Sequence, residues 1–162
     1  MRLDDAEELI ALIEANRGHL EPWMPWVHGY RPSSTVAFVE AAQRQARDEQ
    51  GVQFAVVRTD RVAGTIGFHA VNWVNRSTSV GYWLAAPAQG EGIMTAAVRA
   101  VVRIAFDEWS LHRVELRAAP DNARSQAVAE RCGFVFEGVA REAELVGGRY
   151  RDLNVYALLA SD

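Results

Sequence analysis

The sequence predicts an α/β or α+β fold in which helices pack in layers on a mixed sheet. The predicted elements follow the order of two helices, three strands, a helix, a strand, a helix and two strands. The chain has 162 residues, which suits a single domain, 1–162, with a full core. Hydrophobic residues make up 49% and charged residues 23% of the chain, an ordinary balance for a globular protein.

The first half of the chain is predicted to form two helices and three strands. Asp4 or Asp5 can cap the first helix, and Gly18 is expected to end it. After a tryptophan-rich loop, Ser33 or Ser34 caps the second helix. Runs rich in β-forming residues then predict a hairpin and a third strand. The predicted bounds are about 5–16 and 34–50 for the helices, and 53–58, 62–71 and 77–85 for the strands.

The second half of the chain is predicted to alternate helices and strands. A long helix begins directly after a loop with two glycines, and its mostly apolar surface predicts that it lies buried against the sheet. A turn leads into a short helix that Gly133 ends, and Gly147 and Gly148 join the last two strands. The predicted bounds are 90–109 and 123–132 for the helices, and 111–118, 134–146 and 149–159 for the strands.

Charge, cysteine count and hydropathy disfavour several classes of protein. The net charge of −4 argues against a nucleic-acid partner, which requires a basic face. The single cysteine, Cys132, forms no internal disulfide and fits a reducing, cytoplasmic location. No apolar run approaches the roughly 20 residues of a membrane helix, and no signal peptide is visible after Met1. A small ligand or a peptide is the expected kind of partner.

The most informative stretch runs from Ser79 to Ala97. A strand ends at a proline turn, Gly90 and Gly92 leave the backbone bare, and a helix begins at once. Glycine lets a main chain approach a ligand closely, and a helix start offers unpaired N–H groups and a positive dipole end. The sequence therefore predicts a phosphate site that needs no basic side chain. The stretch lacks the Gly-Lys-Ser/Thr ending of a P-loop and the third glycine of a dinucleotide fingerprint.

Residues 89–94, Gln-Gly-Glu-Gly-Ile-Met, resemble the acetyl-CoA pyrophosphate loop of the GNAT acetyltransferases, whose pattern is Gln/Arg-x-x-Gly-x-Gly/Ala. Met94 departs from the last position, as in the RimJ/RimL branch that acetylates the N-termini of ribosomal proteins. Two later stretches match in the right order: Asn122-x-x-Ser125, followed by the Gly-Phe strand entry, and the strands around 142–158. The resemblance spans nearly the whole chain.

This resemblance implies a mostly antiparallel central sheet of six to seven strands flanked by about four helices. Family members usually begin with a strand, whereas only residues 1–3 precede the first helix, so that strand is expected to be vestigial or truncated. The implied reaction is direct acetyl transfer from acetyl-CoA to an amine, without an acyl-enzyme. Cys132 is therefore expected to be a small buried hydrophobe rather than a nucleophile.

The resemblance also implies where acetyl-CoA binds. The end of the third strand would run beside the pantetheine arm and bind it through the backbone. The loop and helix start would hold the pyrophosphate, and the Asn-x-x-Ser turn would meet the thioester. The implied cofactor-binding residues are Trp83, Leu84, Ala85, Gln89, Gly90, Glu91, Gly92, Ile93, Met94, Thr95, Asn122 and Ser125.

Ser125 and Glu144 are the candidate catalytic residues. By resemblance, Ser125 would return a proton to the CoA sulfur, and Glu144 would accept the amine proton, through a water. The alternatives are structural: Asn122 can cap the short helix with Ser125 as its third residue, and Glu144 can be a solvated carboxylate on a strand. Glu142 has the same strand parity and is easily mistaken for Glu144.

Trp23, Trp26 and Tyr30 are the candidate acceptor-binding residues, because aromatic side chains bind peptides with large contact area and little loss of entropy. The alternative is a loop folded onto the core. No metal site is expected: His28, His69 and His112 show no ligand spacing.

The leading hypothesis is an acetyl-CoA-dependent N-acetyltransferase that modifies the α-amine of a protein N-terminus, first of all that of a ribosomal protein. One alternative is acetylation of a small amine such as a polyamine or an aminoglycoside, which the acidic set Glu137, Glu142 and Glu144 leaves open. The other alternative is a catalytically silent acetyl-CoA-binding module. The resemblance further suggests a homodimer in the cytoplasm, with no nucleic-acid or membrane partner.

Overall fold

A computed structural model describes all 162 residues of the chain. The elements follow the predicted order and confirm a mixed, mostly antiparallel sheet of six strands. The helices are α1 (Asp5–Ala15), the single turn α2 (Arg17–Leu20), α3 (Pro32–Arg47), α4 (Ile93–Arg103) and α5 (Ala123–Arg131). The strands are β1 (Gln53–Arg58), β2 (Arg61–Phe68), β3 (Ser77–Leu84), β4 (Arg113–Ala118), β5 (Val135–Val146) and β6 (Arg149–Leu159).

One pair of strands in the sheet separates along its length. The order across the sheet is β1-β2-β3-β4-β6-β5, and every neighbouring pair is antiparallel except β3 and β4, which run parallel. These two strands pair only from Ser77 with Arg113 to Val80 with Leu116. Beyond that point β3 still pairs with β2, and β4 with β6. A gap therefore opens between β3 and β4 inside the sheet.

The two faces of the sheet carry two separate cores. On one face, α4 and α5 pack on a cluster that includes Phe68, Val98 and Leu116, all almost fully buried. On the other face, α1, α3 and the loop before α3 pack around Leu9 and Val39. Burial of both faces explains why β2 is buried along nearly its whole length.

Strand alternation divides the side chains of β3 between these faces. Val80, Tyr82 and Leu84 belong to the α4–α5 side, whereas Trp83 packs in the core on the α1–α3 side. By the same alternation, Ser79 and Gly81 face the α1–α3 side. The gap beside β3 can therefore be reached by different side chains from its two faces.

The first helix differs from its prediction at both ends. Neither of the first two aspartates caps α1 through its side chain, because the carboxylate of Asp5 accepts the N–H of Arg2 at 2.7 Å instead. Gly18 does not end the helix. The side chain of Asn16 closes α1 by donating to the Leu12 carbonyl at 2.8 Å, and Gly18 lies within α2 without a positive φ.

The regions before α1 and α3 also differ from expectation. Residues 1–4 form no strand, so the sheet has six strands rather than seven. The helix α3 begins at Pro32, before the two serines. Proline fits the first helical position because an N–H at that position would have no acceptor within the helix. The hydroxyl of Ser34 accepts the N–H of Arg31 at 3.4 Å.

The predicted helix over 90–109 is divided into three parts. Its first residues remain a loop, regular α-helix begins at Ile93, and the last turn, Ile104–Glu108, widens into a π-helix. There the N–H of Trp109 bonds to the carbonyl of Ile104 at 3.1 Å, five residues back. None of the helices combines the length and the apolar character needed to cross a membrane.

Candidate active site

A large cleft occupies the gap between β3 and β4 and continues over the α1–α3 face. Its volume is about 1900 Å³. The cleft brings together the glycine loop, the start of α5, the aromatic loop before α3 and the end of β5, which are distant in the sequence. All the candidate site residues line it except Ala85 and Glu91.

The glycine loop presents a row of free backbone donors. Gly90 and Gly92 have φ values of +84° and +77°, in the left-handed region that side chains with a Cβ rarely adopt. The first backbone bond of α4 is donated by Ala96 to the carbonyl of Gly92, at 3.0 Å. The N–H groups of residues 90–95 donate to no protein acceptor, so the helix start can bind an anion.

Side chains on both sides fix the position of this loop. The amide nitrogen of Gln89 lies 2.8 Å from Nε2 of His19, and its amide oxygen accepts a bond from Arg124. Glu91 turns away from the cleft and forms a two-bond ion pair with Arg58, at 2.6 and 2.8 Å. This contact explains why Glu91 does not line the cleft, and the exposed guanidinium of Arg124 adds a cation near the free N–H groups.

The end of β3 leaves backbone groups open to the gap. In an antiparallel pair, successive residues direct both polar groups to alternate sides. Because Ser79 bonds to β2 through His69, the N–H and C=O groups of Tyr82 and Leu84 face the gap. Ala85 lies outside the lining: it is buried, and its N–H donates to the Ala63 carbonyl at 2.8 Å.

Ser125 meets Tyr82 on the α4–α5 side of the gap. The Oγ of Ser125 lies 2.8 Å from the phenol oxygen of Tyr82, and the Ser125 carbonyl, at 3.4 Å, is a second, longer acceptor for the one phenol hydrogen. Burial raises the pKa of Tyr82 to about 12, so the phenol keeps its proton near neutral pH. Asn122 caps α5, since its Oδ1 accepts the backbone N–H of Ser125 at 3.1 Å.

Glu144 lies on the other side of the cleft and is paired with an arginine. The guanidinium of Arg151 binds Oε2 of Glu144 through two nitrogens, one of them at 2.8 Å, while Oε1 accepts no protein hydrogen bond. Arg151 also donates to the carbonyls of Pro22 and Trp23 at 2.8 and 2.9 Å. Glu144 thus holds the arginine that ties the aromatic loop to β6.

The aromatic residues of that loop form one wall of the cleft, although they differ in exposure. Trp26 is 41% exposed and lies between Tyr30 and Trp83, with ring centroids 6.0 and 6.3 Å away. Tyr30 is buried, and its hydroxyl bonds to the hydroxyl of Thr35 at 2.7 Å. Trp23 and Trp26 therefore offer most of the accessible aromatic surface.

A second carboxylate of the cleft, Glu115, is also paired with arginines. Glu115 accepts bonds from Arg117 at 2.7 Å and from Arg113 at 3.3 Å. Arg113 also binds Glu137, which lowers the pKa of that carboxyl. Apart from Glu115 and Glu144, the only carboxylate in the lining is Asp121, in the turn before α5.

The side-chain contacts of four residues of the site were not predicted: those of Tyr82, Arg124, Arg151 and His69. Their contacts join distant parts of the chain, and no local sequence pattern signals them. Cys132 is half-buried rather than fully buried as predicted. Partial burial raises the pKa of its thiol, and its Sγ donates weakly to the carbonyl of Thr95 at 3.6 Å.

Comparison with known proteins agrees with this geometry. Residues 1–135 match the model of the acetyltransferase (GNAT) domain. The chain is 38% identical over 159 residues to a Bacillus subtilis (strain 168) protein provisionally named a ribosomal N-acetyltransferase, YdaF, covering 96% of this chain and 86% of that protein.

Two solved structures are also similar. RimL, the ribosomal L7/L12 α-N-protein acetyltransferase in complex with coenzyme A, is 26% identical with a TM-score of 0.94, over 100% of this chain and 93% of RimL. The microcin C7 self-immunity acetyltransferase MccE in complex with acetyl-CoA and AMP is 31% identical with a TM-score of 0.93, over 98% and 88% of the two chains.

The chain therefore belongs to the GNAT acetyltransferases and is of RimJ/RimL type. It is an N-acetyltransferase, and its cosubstrate is acetyl-CoA.

The Arg151 contacts generate a first prediction, on stability. Replacing Arg151 with methionine leaves the Glu144 carboxylate unpaired and removes two bonds to the aromatic loop. We expect the free energy of unfolding to fall by about 2 kcal/mol, within the range for hydrogen bonds to charged groups. Urea denaturation monitored by tryptophan fluorescence measures the loss. Arg149→Met, at an exposed position on the same strand, is the matched control, and equal stability of the two variants would contradict the prediction.

Proposed function

We propose that this enzyme acetylates the α-amine of a protein N-terminus, and that a ribosomal protein is the first acceptor to test. The pairing of two of the three cleft carboxylates with arginines carries this proposal, since only Asp121, in the turn before α5, has no arginine partner. A polyamine or an aminoglycoside carries several positive charges and requires free carboxylates, whereas Glu115 and Glu144 are both neutralised by guanidinium groups. Glu142 does not line the cleft, and Glu137 is bound to Arg113.

The acidity of amines supports the same acceptor. An α-amine has a pKa of about 7.7–8.0, whereas that of lysine is near 10.4. At pH 7 roughly a tenth of the α-amine is neutral, against less than about one part in a thousand of a lysine side chain. A site without a strong base therefore acetylates an α-amine more easily than a lysine. The names of the relatives YdaF and RimL, which refer to ribosomal proteins, point the same way.

The chain offers three groups of contacts to acetyl-CoA, which supplies the activated acetyl group. We propose that the free N–H groups of residues 90–95 bind its pyrophosphate, assisted by Arg124. The backbone groups of Tyr82 and Leu84 would bind the pantetheine arm along the gap. The thioester would then lie at the Ser125 hydroxyl.

Tyr82 can orient Ser125 for proton donation to sulfur. When the phenol of Tyr82 donates to Ser125 Oγ, the hydroxyl hydrogen of Ser125 is free to turn towards the gap. The high pKa of Tyr82 keeps that donor available at neutral pH. In this proposal Ser125 gives a proton to the leaving thiolate, and Tyr82 positions Ser125.

The role of Glu144 as base remains a prediction. Its Oε1 is free for a water, but its Oε2 is bound to Arg151, which favours the holding of the aromatic loop as its main role. A ribosomal acceptor would imply a cytoplasmic reaction, and the homodimer likewise remains a prediction.

The pyrophosphate loop is tested at Gly92. A β-branched side chain strains the left-handed backbone and projects into the space of the ligand, because a Cβ at this position meets no protein atom within 4 Å. We expect Gly92→Val to weaken acetyl-CoA binding by more than tenfold, or more than about 1.4 kcal/mol. Gly92→Asn, which tolerates positive φ, separates strain from obstruction. Unchanged affinity of both variants in calorimetry would exclude the loop as the pyrophosphate site.

The Tyr82–Ser125 pair predicts a non-additive loss of rate. General acid catalysis contributes roughly 10²–10⁴ in rate, so Ser125→Ala should lower kcat by about 10² or more and leave acetyl-CoA affinity unchanged. Tyr82→Phe removes only the orienting bond and should cost less. The double variant should be no slower than Ser125→Ala, because Tyr82 acts through Ser125. If steady-state kinetics show that the loss of kcat in the double variant equals the product of the two single losses, this coupling is contradicted.

The acceptor is tested with a peptide that carries both an α-amine and a lysine. Incubation with acetyl-CoA and mass spectrometry of the fragments should locate the acetyl group on the α-amine. Peptides with the N-termini of ribosomal proteins should react fastest. Acetylation mainly on lysine would contradict the proposal, and inert peptides beside a reactive polyamine or aminoglycoside would establish the small-amine alternative. Binding of acetyl-CoA without transfer to any amine would indicate a silent binding module.

A further inference from the structure

His69 lies directly over the point where β3 and β4 begin to separate. It follows β2, and its backbone N–H donates to the carbonyl of Ser79 at 2.8 Å. Its ring covers Gly81, the first residue of β3 beyond the last one paired with β4. A Cβ on Gly81 would be only 2.8 Å from Nε2 and 2.9 Å from Cε1 of His69. The missing side chain of Gly81 therefore makes room for the edge of the ring that carries Nε2.

This position is opposite the Tyr82–Ser125 pair across the sheet. Gly81 and Tyr82 are neighbours on β3, and strand alternation places them on opposite faces. His69 thus reaches the gap from the α1–α3 face, and Ser125 reaches it from the α4–α5 face. Both residues line the same cleft. The aromatic loop belongs to the same face of the sheet as His69, so the candidate acceptor wall and His69 lie on one side of the gap.

The hydrogen bond of the ring is compatible with proton uptake at Nε2. Nδ1 of His69 lies 2.8 Å from Oγ of Ser79. A hydroxyl can accept from Nδ1–H in both the neutral and the charged ring. When Nδ1–H donates to Ser79, Nε2 carries the free lone pair. Protonation of Nε2 then keeps the bond to Ser79 and needs no movement of the ring.

The surroundings of His69 keep the ring neutral at working pH. His69 keeps an exposed side, and partial burial in the cleft, followed by the positive charge of Arg117, lowers its pKa below the usual value of 6.5. The charged groups that share its part of the cleft are Arg117 and Glu115 of β4, which bond to each other. The lining from α3 and β1 is uncharged: Ser34, Thr35, Phe38 and Gln53.

We propose that His69 is a catalytic residue of this enzyme, the base that accepts the proton of the acceptor amine at Nε2. The proposal rests on the proposed acetylation of an amine in this cleft. Nε2 takes one proton from the acceptor ammonium and passes it to solvent, and the neutral nitrogen then forms the C–N bond to the acetyl carbonyl carbon. The C–S bond breaks, the second proton of the nitrogen leaves through Nε2 to solvent, and Ser125 gives its hydroxyl proton to the CoA thiolate and regains one from solvent. Ser79 is the positioning residue of His69.

The proposal predicts a change in the pH profile of His69→Gln. With His69 present, kcat/KM for an α-amine peptide should stay high down to the pKa of the imidazole, below 6.5. Without a base the enzyme can use only the fraction of amine that is already neutral. The pKa that describes the fall of kcat/KM at acidic pH should therefore rise towards that of the α-amine, about 7.7–8.0. We expect a loss of roughly 10² at pH 6.5 that shrinks to less than about tenfold at pH 9. Acetyl-CoA affinity and thermal stability should not change.

A second variant reaches the same result without removing the imidazole. Gly81→Ala places a methyl group against Nε2 and should displace the ring, so its acidic limb should move in the same direction. His112→Gln, at an exposed histidine outside the cleft, is the control and should match the parent enzyme.

Three results would overturn the proposal. The first is a loss of kcat/KM in His69→Gln that has the same size at every pH. The others are an acidic limb of the pH profile that shifts in Glu144→Gln but not in His69→Gln, or one that does not shift in Gly81→Ala. If the parent enzyme acetylates no peptide and only a small amine, the α-amine proposal fails, but the His69 test still applies. The limb of His69→Gln should then follow the pKa of that small amine.

Discussion

The separation of β3 from β4 after four paired residues is the constraint on which the site depends. A buried sheet normally satisfies every backbone N–H and C=O within its ladders, because an unpaired buried polar group is costly. Here β3 ends its pairing with β4 at Val80, and the backbone groups of Tyr82 and Leu84 have no strand partner. The same chain segment ends in the glycine loop, whose N–H groups are also unpaired. Two sets of backbone groups without partners in the sheet or helix thus lie along the cleft, one at the end of β3 and one at the start of α4, and a long polar ligand can bind both.

The elements around the gap stabilise its open form. Gln126 of α5 donates to the carbonyl of Pro120 at 2.8 Å and accepts from Asn154 and Tyr156 of β6 at 3.1 Å, which holds α5 beside β4. Gln89 joins the glycine loop to α2 and α5. The Gln126 bonds fix α5 on the β4 side of the gap, and the Gln89–Arg124 bond joins the two sides, so the cleft does not depend on hydrogen bonds between β3 and β4.

The fold could largely be predicted from the sequence, whereas the site could be predicted only in part. The periodicity of apolar residues and the turn residues identified all six strands and the four longer helices, since burial and backbone geometry are local signals. Helix ends failed where a side chain made an unforeseen contact, as when Asp5 bonded to Arg2. The glycine loop was visible because its chemistry lies in consecutive residues. Arg151 and His69 were not, because their roles arise from contacts between strands that only the folded chain brings together.

The paired charges of the cleft also bear on the histidine proposed as the base. Glu115 and Glu144 are both bound to guanidinium groups, and the Glu144 pair fixes the aromatic loop through Arg151. The same pairing leaves Arg117 beside His69, where its positive charge disfavours a second cation and keeps the imidazole neutral. In the proposed mechanism, the arginines that bind these carboxylates also keep His69 available as a neutral base on the acceptor side, while Ser125 would serve the leaving group from the opposite face.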